Sequence, residues 1–467
     1  MSIEQIIPAL LGHGPLVVLE SQSNTHRESH HHFVAAKPKG EIKLVGDHCW
    51  VTGSLYHLLK MRFRNLLWSR DGSSLWYVAK LETPSMIWAL LSAVQEKRWL
   101  FGYLGYDLKN AVEPLESSHM ALNRAPDLWF MEPEILIKFA TDSHSQPSNP
   151  SGVEKDSTQW ILGDESMLPV TTEKRENEGN HRESSFRFNP KKISNKDEYL
   201  EKVRGIQNDI HEGSYYEMNL SHALQFDFEG SAWKLYQAMK AQGPVPFGAY
   251  LELLDSNGQA LYVCCASPER YLAKRGSSIW SEPIKGTVGR SNDELMTVPE
   301  RVRLELLSEK NKAEHLMIVD LVRNDLHRVA KSGSVRVDSL FEIQSFETVY
   351  QLVSKVIAEV RPEVSPVEII RNSFPMGSMT GAPKIAAMKA IETYEDYKRG
   401  IYSGAIGYFS PSGDFDFNVV IRTALIQDQQ MVYPVGGAIT SDSSPEAEWE
   451  ETLVKAEALH RALNAMP

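Results

Sequence analysis

Short apolar runs bounded by turn residues recur along nearly the whole sequence, and they outnumber the helical segments. Early runs include PLVVLES, LWYVAKL and EILIKFA, and later runs include MNLSHALQFDF and ALYVCCASPERYLAKR. Runs of this kind are typical of β-strands. Because simple strand–helix alternation is lacking, the pattern favours an α/β (α+β) fold with a layered β-sheet sandwich flanked by helices over a Rossmann fold.

A few segments have helical spacing and helix-start signals. Asn195–His211 and Ser308–Arg328 carry apolar residues at helical intervals, and Gly333 lies beyond the second of them. A final helix is expected from Ser443-Ser444-Pro445 to about Ala465, because serine caps a helix and proline suits its first turn. The segment around Pro411–Gly413 predicts a hairpin turn.

The composition changes in the middle of the 467-residue chain. From Thr141 to about Pro190 the sequence is mostly polar with little apolar periodicity, which indicates a solvated connector. We therefore expect an N-terminal subdomain over 1–140, a connector over 141–190 and a catalytic domain over 191–467.

Bulk properties exclude several classes of protein. A net charge of −12 and a pI near 5.7 argue against a nucleic-acid binder. The sequence contains no apolar run of about 18 residues, so a membrane span is not expected. The N-terminus lacks the pattern of a signal peptide. Three cysteines cannot form a disulfide framework, so a cytoplasmic location is expected.

Lys285, in SEPIKGTVGR, is a candidate nucleophile. Gly286 permits a tight turn beside it, and Thr287 adds a hydroxyl group. Burial next to Ile284 would lower the pKa of the lysine and leave some neutral amine. Taken alone, the segment is more typical of a solvated turn lysine.

Carboxylates on two expected helices form a candidate metal site. Glu448 and Glu451 share a helix face with Lys455, and Glu314 precedes the apolar run LMIVDLV on another helix. Glutamates from separate helices suit Mg²⁺ together with an anionic substrate. Paired glutamates on one helix are also the ordinary pattern of a solvated face.

Arg422 and the pair Gly436-Gly437 are candidates for binding an anion. Adjacent glycines let backbone N–H groups approach a carboxylate, and arginine binds the same group bidentately. A plain tight turn explains the glycines equally well, and the same holds for GSMTGAPK, which contains Thr380 and Gly381. Glu269 directly follows a strand and is a candidate acid, although glutamates are common at strand ends.

The order of these segments is far more specific than any one of them. SPERY, PIKGT, AEHLMIVDLVRNDLHRV, FPMGSMTGAPKIAAMKAIE, YSGAIGYFSPSGDFDFNVVIRT and GGAITSDSSPEAEWEET occur in this order. The chain thereby resembles the chorismate-utilising enzymes, which include anthranilate synthase component I, aminodeoxychorismate synthase component I, and the isochorismate and salicylate synthases. The resemblance is strong from about Asn195 to Ala465 and implies the chorismate-binding fold of the anthranilate synthase component I type.

Two positions indicate a branch of this family. Lysine in PIKGT, here Lys285, is characteristic of the aminodeoxychorismate synthases, whereas anthranilate synthases usually have alanine there. Water-adding relatives place a lysine base where this chain has Glu217. The resemblance thus implies amination of chorismate at C4 for para-aminobenzoate and folate synthesis. Anthranilate synthesis is the close alternative, and a catalytically weak chorismate-binding subunit is a remote one.

The resemblance also implies roles for individual residues. Lys285 would be the nucleophile and Glu269 the general acid, and the expected Mg²⁺ ligands are Glu314 and Glu451, with Glu448 direct or through water. The implied substrate-binding residues are Arg422, Gly436, Gly437, Tyr402, Lys455, Thr287, Thr380 and Gly381.

Two departures and two partners complete the expectation. Gln351 stands where relatives commonly have histidine, and Glu217 stands where aminating relatives commonly have glutamine. Glu217 adds negative charge that could raise the pKa of Lys285. Ammonia is expected from a separate glutamine amidotransferase subunit, and the segment VLES is similar to one that lines a tryptophan pocket in feedback-inhibited relatives.

Overall fold

The computed structural model describes residues 3–21, 31–72, 74–140, 157–169, 186–192, 195–255, 257–290, 298–346 and 349–466. Its strands are β1 (Leu16–Glu20), β2 (His31–Val45), β3 (His48–Val51), β4 (Ser69–Arg70), β5 (Tyr77–Lys80), β6 (Leu100–Leu104), β7 (Leu128–Ala140), β8 (Ser157–Leu162), β9 (Arg187–Lys192), β10 (Glu217–Glu229), β11 (Phe247–Leu254), β12 (Ala260–Ser267), β13 (Arg270–Arg275), β14 (Ser278–Glu282), β15 (Ile284–Gly289), β16 (Arg336–Ser345), β17 (Val349–Glu359), β18 (Gly381–Ala382), β19 (Ala405–Phe409), β20 (Phe415–Asn418), β21 (Thr423–Gln427) and β22 (Gln430–Ile439).

Its α-helices are α1 (Ile3–Leu10), α2 (Gly53–Arg62), α3 (Met86–Gln95), α4 (Lys196–His211), α5 (Ala232–Ala241), α6 (Glu300–Leu306), α7 (Glu309–His327), α8 (Pro366–Ser373), α9 (Lys384–Tyr394) and α10 (Pro445–Ala465). Short 3-10 turns occupy Tyr106–Ala111, Glu165–Met167 and Gly377–Met379.

Antiparallel pairing links most of the strands into one path. The path runs β9–β10–β22–β21–β12–β11–β1–β2–β7–β6–β19–β20–β13–β14–β17–β16, and β15 also pairs with β17. The long strands β2 and β7 stand side by side in the middle of this path and connect its two halves. Within β2, Lys37 has a φ of 53° and the register with β7 shifts between Pro38 and Gly40, so the ladder turns there.

Alternation of side chains divides the core into three layers. On β6, Phe101 and Tyr103 pack in an inner core built almost entirely from strand residues, whereas Leu100 and Leu104 face an outer core that includes residues of α2, α3 and α8. A second outer core joins α1, α5 and α10 to the other sheet face. The expected layered sandwich flanked by helices is therefore confirmed.

The adjacent cysteines of β12 show the same alternation. Cys264 packs in the second outer core, which includes α1, α5 and α10, and Cys265 packs in the inner core. Both thiols are free and fully buried. The two side chains therefore point to opposite faces of the strand.

The expected helices also form close to their expected bounds. Asn195, Ser308 and Ser444 are the N-cap residues of α4, α7 and α10, and each side-chain oxygen accepts a backbone N–H of the first turn. The hairpin turns between β19 and β20, at Pro411–Gly413. The sequence therefore placed the two helices that carry the candidate glutamates.

Parts of the expected connector pair with the sheets. Within 141–190, β8 pairs with β7, and β9, which begins at Arg187, pairs with β10. The remaining stretches, 141–156 and 170–185, lie outside the described residues. The division into 1–140, 141–190 and 191–467 stays a prediction. Strands from before and after the connector are neighbours in the sheet, since β1 pairs with β11 and β6 pairs with β19. Across the portions of the chain described above, no helix is long and apolar enough to span a membrane.

Gly102, on β6, offers a test of the tight contact between β6 and β7. A Cβ atom there would lie 2.0 Å from the Trp129 carbonyl oxygen, so we expect Gly102→Ala to lower the free energy of unfolding by about 3 kcal/mol. Urea denaturation measures the change. Gly289→Ala on β15 is the matched control, because its Cβ would meet nothing within 4 Å, and its effect should stay within about 0.5 kcal/mol. Equal effects of the two substitutions would contradict the close approach.

Candidate functional site

Lys285 lies on β15 between two carboxylates. Its Nζ is 3.1 Å from Glu314 Oε2 on α7 and 3.5 Å from Glu217 Oε1 at the start of β10. Burial by itself would lower the pKa of Lys285, but Glu217 and Glu314 outweigh burial and raise the pKa. The expectation of a lowered pKa is therefore wrong for this arrangement, and the expectation that Glu217 raises it is confirmed.

The glutamates of α10 converge on Gly437. A Cβ atom at Gly437 would lie 3.3 Å from Glu448 Oε2, 3.7 Å from Glu451 Oε1 and 3.9 Å from Lys455 Nζ, so glycine leaves room where these groups meet. Lys455 Nζ is 2.7 Å from Glu451 Oε1 and donates to the Gly436 carbonyl at 2.7 Å. The shared helix face predicted from the sequence is thus turned toward β22.

The carboxylates of α10 have opposite pKa shifts. Burial raises the pKa of Glu448, although the Ser443 hydroxyl donates to Glu448 Oε1 at 2.7 Å and opposes the shift. For Glu451, burial acts upward, but Lys455 outweighs it and lowers the pKa. Lys285 and Lys310 also act on both carboxylates, which indicates that α7, β15 and α10 share one electrostatic cluster.

Glu269 is buried at the corner between β12 and β13. Burial raises its pKa to about 7, against a hydrogen bond from Ser378 Oγ to Glu269 Oε1 at 2.8 Å and against Lys285, Lys455 and Arg422. A carboxyl group with this pKa is partly protonated near neutral pH and can donate a proton. The structure therefore gives the candidate acid the property that the role needs.

Arg422 lies between β20 and β21 in a strained backbone conformation. Its φ is 51°, and its carbonyl oxygen accepts from Ala266 N at 3.1 Å. No hydrogen bond or ion pair of its guanidinium is found within the described ranges, and burial lowers its pKa. A partly buried guanidinium without a hydrogen-bonded carboxylate is well suited to an anionic ligand, although Glu269 also acts on it electrostatically. Tyr402 is buried in the outer core that includes α2, α3 and α8, and burial raises its pKa.

The three remaining substrate-binding candidates, Thr380, Gly381 and Thr287, make their contacts with other parts of the chain. Thr380 Oγ1 donates to the carbonyl oxygens of Met376 at 3.2 Å and Gly377 at 3.3 Å. Gly381 permits close packing on β10, because its Cβ would lie 2.0 Å from the Glu217 carbonyl oxygen. Thr287 is exposed and accepts from Gln351 Nε2 at 3.3 Å. Their assignment to substrate binding stays a prediction.

Both departures from the family pattern lie beside Lys285. Gln351 pairs with Thr287 across β15 and β17, and Glu217 contacts Lys285 directly. Gln351 Oε1 and Glu217 Oε2 are buried without a hydrogen-bond partner among the described residues. Burial raises the pKa of Glu217, opposed by Lys285.

Sequence reasoning missed Ser378 and a buried ion pair. Arg399 Nη2 lies 2.5 Å from Glu395 Oε1, and the same guanidinium donates to the carbonyl oxygens of Met379 and Asn219. The i,i+4 spacing of a glutamate and an arginine is visible in the sequence, but it usually marks a solvated helix face. Ser378 lies within GSMTGAPK, and nothing in that motif singles out its hydroxyl group.

Comparisons with known proteins identify relatives of this chain. A family model described as chorismate binding enzyme matches residues 27–461. The chain is 37% identical over 449 residues to the aminodeoxychorismate synthase of Streptomyces griseus, covering 91% of this chain and 59% of that protein. It is 32% identical to anthranilate synthase component 1 of Aquifex aeolicus, covering 78% of this chain and 74% of that protein.

The fold is similar to that of a solved relative. Anthranilate synthase component I from Streptococcus pneumoniae TIGR4 matches with a TM-score of 0.69 at 24% identity, covering 93% of each chain. The chain spans only about half the length of several aminodeoxychorismate synthases that it matches, between 39% and 59%. The match of the family model over nearly the whole chain, on a sandwich that gathers the motif residues into one cluster, shows that this chain belongs to the family of chorismate-binding enzymes.

Proposed function

We propose that this chain is an aminodeoxychorismate synthase component I, which aminates chorismate at C4 to give 4-amino-4-deoxychorismate. The observation that carries the proposal is Lys285 of PIKGT, whose Nζ lies 3.1 Å from Glu314 in the cluster shared with α10. Relatives named aminodeoxychorismate synthase, at 35% to 39% identity, support the same branch.

Arg422 and the backbone around Gly436 and Gly437 would bind the enolpyruvyl carboxylate of chorismate. Support comes from the Arg422 guanidinium, which has no hydrogen bond or ion pair among the described residues, and from the lack of a side chain at Gly437, where Glu448 and Glu451 meet. Lys455, which contacts Gly436, and the buried ring of Tyr402 would border the same pocket.

The residues suggest a division of chemical roles. Glu269 would protonate the departing C4 hydroxyl group, which its pKa of about 7 supports. Lys285 would attack C2 as that hydroxyl leaves, once its proton has been taken, because only the neutral amine is nucleophilic. Ammonia would then bond to C4 while the C2–nitrogen bond breaks and its electron pair returns to the lysine nitrogen.

The acidic cluster supports a role for Mg²⁺, which the resemblance to the chorismate-utilising enzymes implies. Glu314, Glu448 and Glu451 supply the carboxylate oxygens that Mg²⁺ prefers, and the last two meet at Gly437. Among the described residues no group of three or more His, Cys, Asp or Glu side chains is arranged as a metal site. Lys285 lies 3.1 Å from Glu314, and Lys455 lies 2.7 Å from Glu451. Bound there, the ion would neutralise the cluster and stabilise the ring carboxylate of chorismate.

Further parts of the proposal concern partners and location. Ammonia would come from a separate glutamine amidotransferase subunit, in line with relatives named component 1. An aromatic amino acid such as tryptophan would bind a pocket lined by Glu20, Ser21, Phe33, Arg275 and Tyr408 among others. The free, buried cysteines are consistent with the cytoplasm.

Anthranilate synthesis is the second candidate, because the Aquifex relative covers most of the chain. The two activities leave different products. Amination at C4 retains the pyruvyl group on the ring, whereas anthranilate synthesis releases pyruvate. Lys285 favours the first.

Product identification tests the proposal. We expect the purified chain, given chorismate, Mg²⁺ and ammonium chloride at mildly alkaline pH, to form 4-amino-4-deoxychorismate without releasing pyruvate. Lys285→Ala should lower the rate by about a thousandfold or more, because the nucleophile is lost. Lys312→Ala, which removes a lysine of the same helix that pairs with the exposed Glu309, is the control and should retain most activity. Anthranilate and free pyruvate would show that the branch is wrong.

The pKa of Glu269 can be tested through stability. Its folded-state pKa of about 7 lies above the ordinary value of 4.5, so the wild type loses stability relative to Glu269→Gln as pH rises through this interval. Between about pH 5 and pH 8 the loss should reach about 2 to 3 kcal/mol, measured by urea denaturation of both proteins. Glu457→Gln, at an exposed ion pair with Arg461, is the control. A difference between wild type and Glu269→Gln that does not change with pH would disprove the raised pKa.

Competition between lysine and metal can be tested without turnover. Lys455 lies 2.7 Å from Glu451, so Lys455→Ala should tighten Mg²⁺ binding about two- to fivefold, the modest effect of a partly exposed pair. Isothermal titration calorimetry measures the dissociation constant. Lys312→Ala, which breaks a surface pair with Glu309, should leave it unchanged. Unchanged or weaker binding in Lys455→Ala would remove Glu451 from the proposed ligands.

A further inference from the structure

The carboxyl group of Glu269 accepts its side-chain hydrogen bond from Ser378. Ser378 Oγ donates to Glu269 Oε1 at 2.8 Å, and Glu269 is 7% exposed. Within the segments that the structure describes, no other donor reaches either carboxyl oxygen. A buried carboxyl group depends on its few hydrogen bonds for its orientation and its charge, because little water surrounds it. Ser378 therefore acts directly on the group that would protonate the leaving hydroxyl.

The turn that carries Ser378 is fixed by its neighbours. Ser378 lies in the 3-10 turn Gly377–Met379, between α8 and β18. Arg399 Nη1 donates to the Met379 carbonyl at 2.7 Å. A Cβ atom at Gly377 would lie 3.0 Å from Leu321 Cβ on α7, so the turn packs closely against that helix. The hydroxyl group is thus presented from a rigid support.

The hydrogen bond from Ser378 decides which oxygen of Glu269 carries the acidic proton. The oxygen that accepts the hydroxyl acts as the carbonyl oxygen of the protonated group, so the proton lies on Oε2. After the proton has left, the same hydroxyl donates to the carboxylate and stabilises its charge. One hydroxyl group thus serves the acid both before and after proton transfer.

Charged groups around Glu269 act together with Ser378. Burial raises the pKa of Glu269 to about 7, and the Ser378 hydrogen bond opposes this shift most strongly. Lys285 on β15, Lys455 on α10 and Arg422 between β20 and β21 act in the same direction as Ser378. The hydrogen bond therefore helps to hold the pKa near neutral, where a general acid works best. Without it, we expect the pKa to lie higher.

We infer that Ser378 is a positioning residue for proton donation by Glu269, because it holds the acidic proton on Oε2 and stabilises the carboxylate that remains. The inference rests on the proposed function, in which Glu269 is the general acid. In that step the proton passes from Oε2 to the oxygen at C4, the C4–O bond breaks with its electron pair on that oxygen, and water departs. The negative charge stays on the carboxylate, to which Ser378 donates.

Ser378→Ala removes the hydroxyl group and tests this role. We expect kcat to fall about ten- to hundredfold, while the KM for chorismate stays within about twofold. The decisive readout is the pH profile of kcat at saturating chorismate and ammonia, whose basic limb follows the loss of the acidic proton. Its midpoint should move to higher pH by about 0.5 to 1, because the carboxylate has lost its hydrogen bond.

Two further variants separate the hydroxyl group from packing. Ser378→Thr keeps a hydroxyl group and should restore the wild-type midpoint and most of kcat. Ser373→Ala removes a buried hydroxyl group of the same pocket, which is bonded to Tyr271 and to backbone carbonyls of α8, so it should leave the midpoint unchanged. A lower kcat in Ser378→Ala with an unmoved midpoint, or an equal shift in Ser373→Ala, would indicate a structural role and overturn the inference.

Stability gives a readout that needs no turnover. The stability of the wild type relative to Glu269→Gln falls as pH rises from the ordinary pKa of 4.5, and it levels off above the folded-state pKa of about 7. In the Ser378→Ala background the same comparison, made by urea denaturation, should level off at a higher pH. The same pH dependence in both backgrounds would overturn the inference and leave the proposed function standing. The expected change in pH dependence without any aminated product would refute the proposed function and support the hold of Ser378 on the proton.

Discussion

The antiparallel path of strands brings its two ends together at the site. β9–β10 form one end of the path, and β17, which pairs with both β15 and β16, lies near the other end. The sandwich folds so that Glu217 of β10 contacts Lys285 of β15. Strands twist and alternate their side chains, so the sheets stack around a shared inner core. The helices α7 and α10 then add their glutamates from outside the sheets. The site therefore forms only when these sheets and helices pack together.

Charge balance explains why the cluster is tolerated in a partly buried place. Glu314 and Glu217 face Lys285, and Glu451 faces Lys455, so each carboxylate cluster contains its own cations. Unpaired carboxylates at this density would repel each other and raise their pKa values. The same pairing favours the ammonium form of Lys285. In the proposed mechanism, Lys285 would therefore become nucleophilic only after substrate and Mg²⁺ had changed this charge balance.

The buried ion pair of Glu395 and Arg399 stabilises the strand and the loops next to the site. Glu395 and Arg399 are almost fully buried, and their contacts reach Ser221 and Asn219 on β10, Met379 in the loop before β18, and Ser403 before β19. Removing one partner of such a pair leaves a buried charge, which is strongly destabilising. The pair thus couples the position of β10 to the loop that carries Ser378, the hydrogen-bond donor to Glu269.

The sequence by itself determined the local structure and the candidate residues. Apolar alternation separated the faces of β12, serine caps fixed the starts of α7 and α10, and the spacing of Glu448, Glu451 and Lys455 gave one helix face. These features depend on neighbours within a few residues. Only the tertiary structure decided that Glu217 meets Lys285, that Ser378 meets Glu269, that Thr380 is bonded to its own loop, and that the pKa of Lys285 is raised. Electrostatic shifts and hydrogen bonds between distant segments depend on burial and distance in space, which chain spacing does not encode.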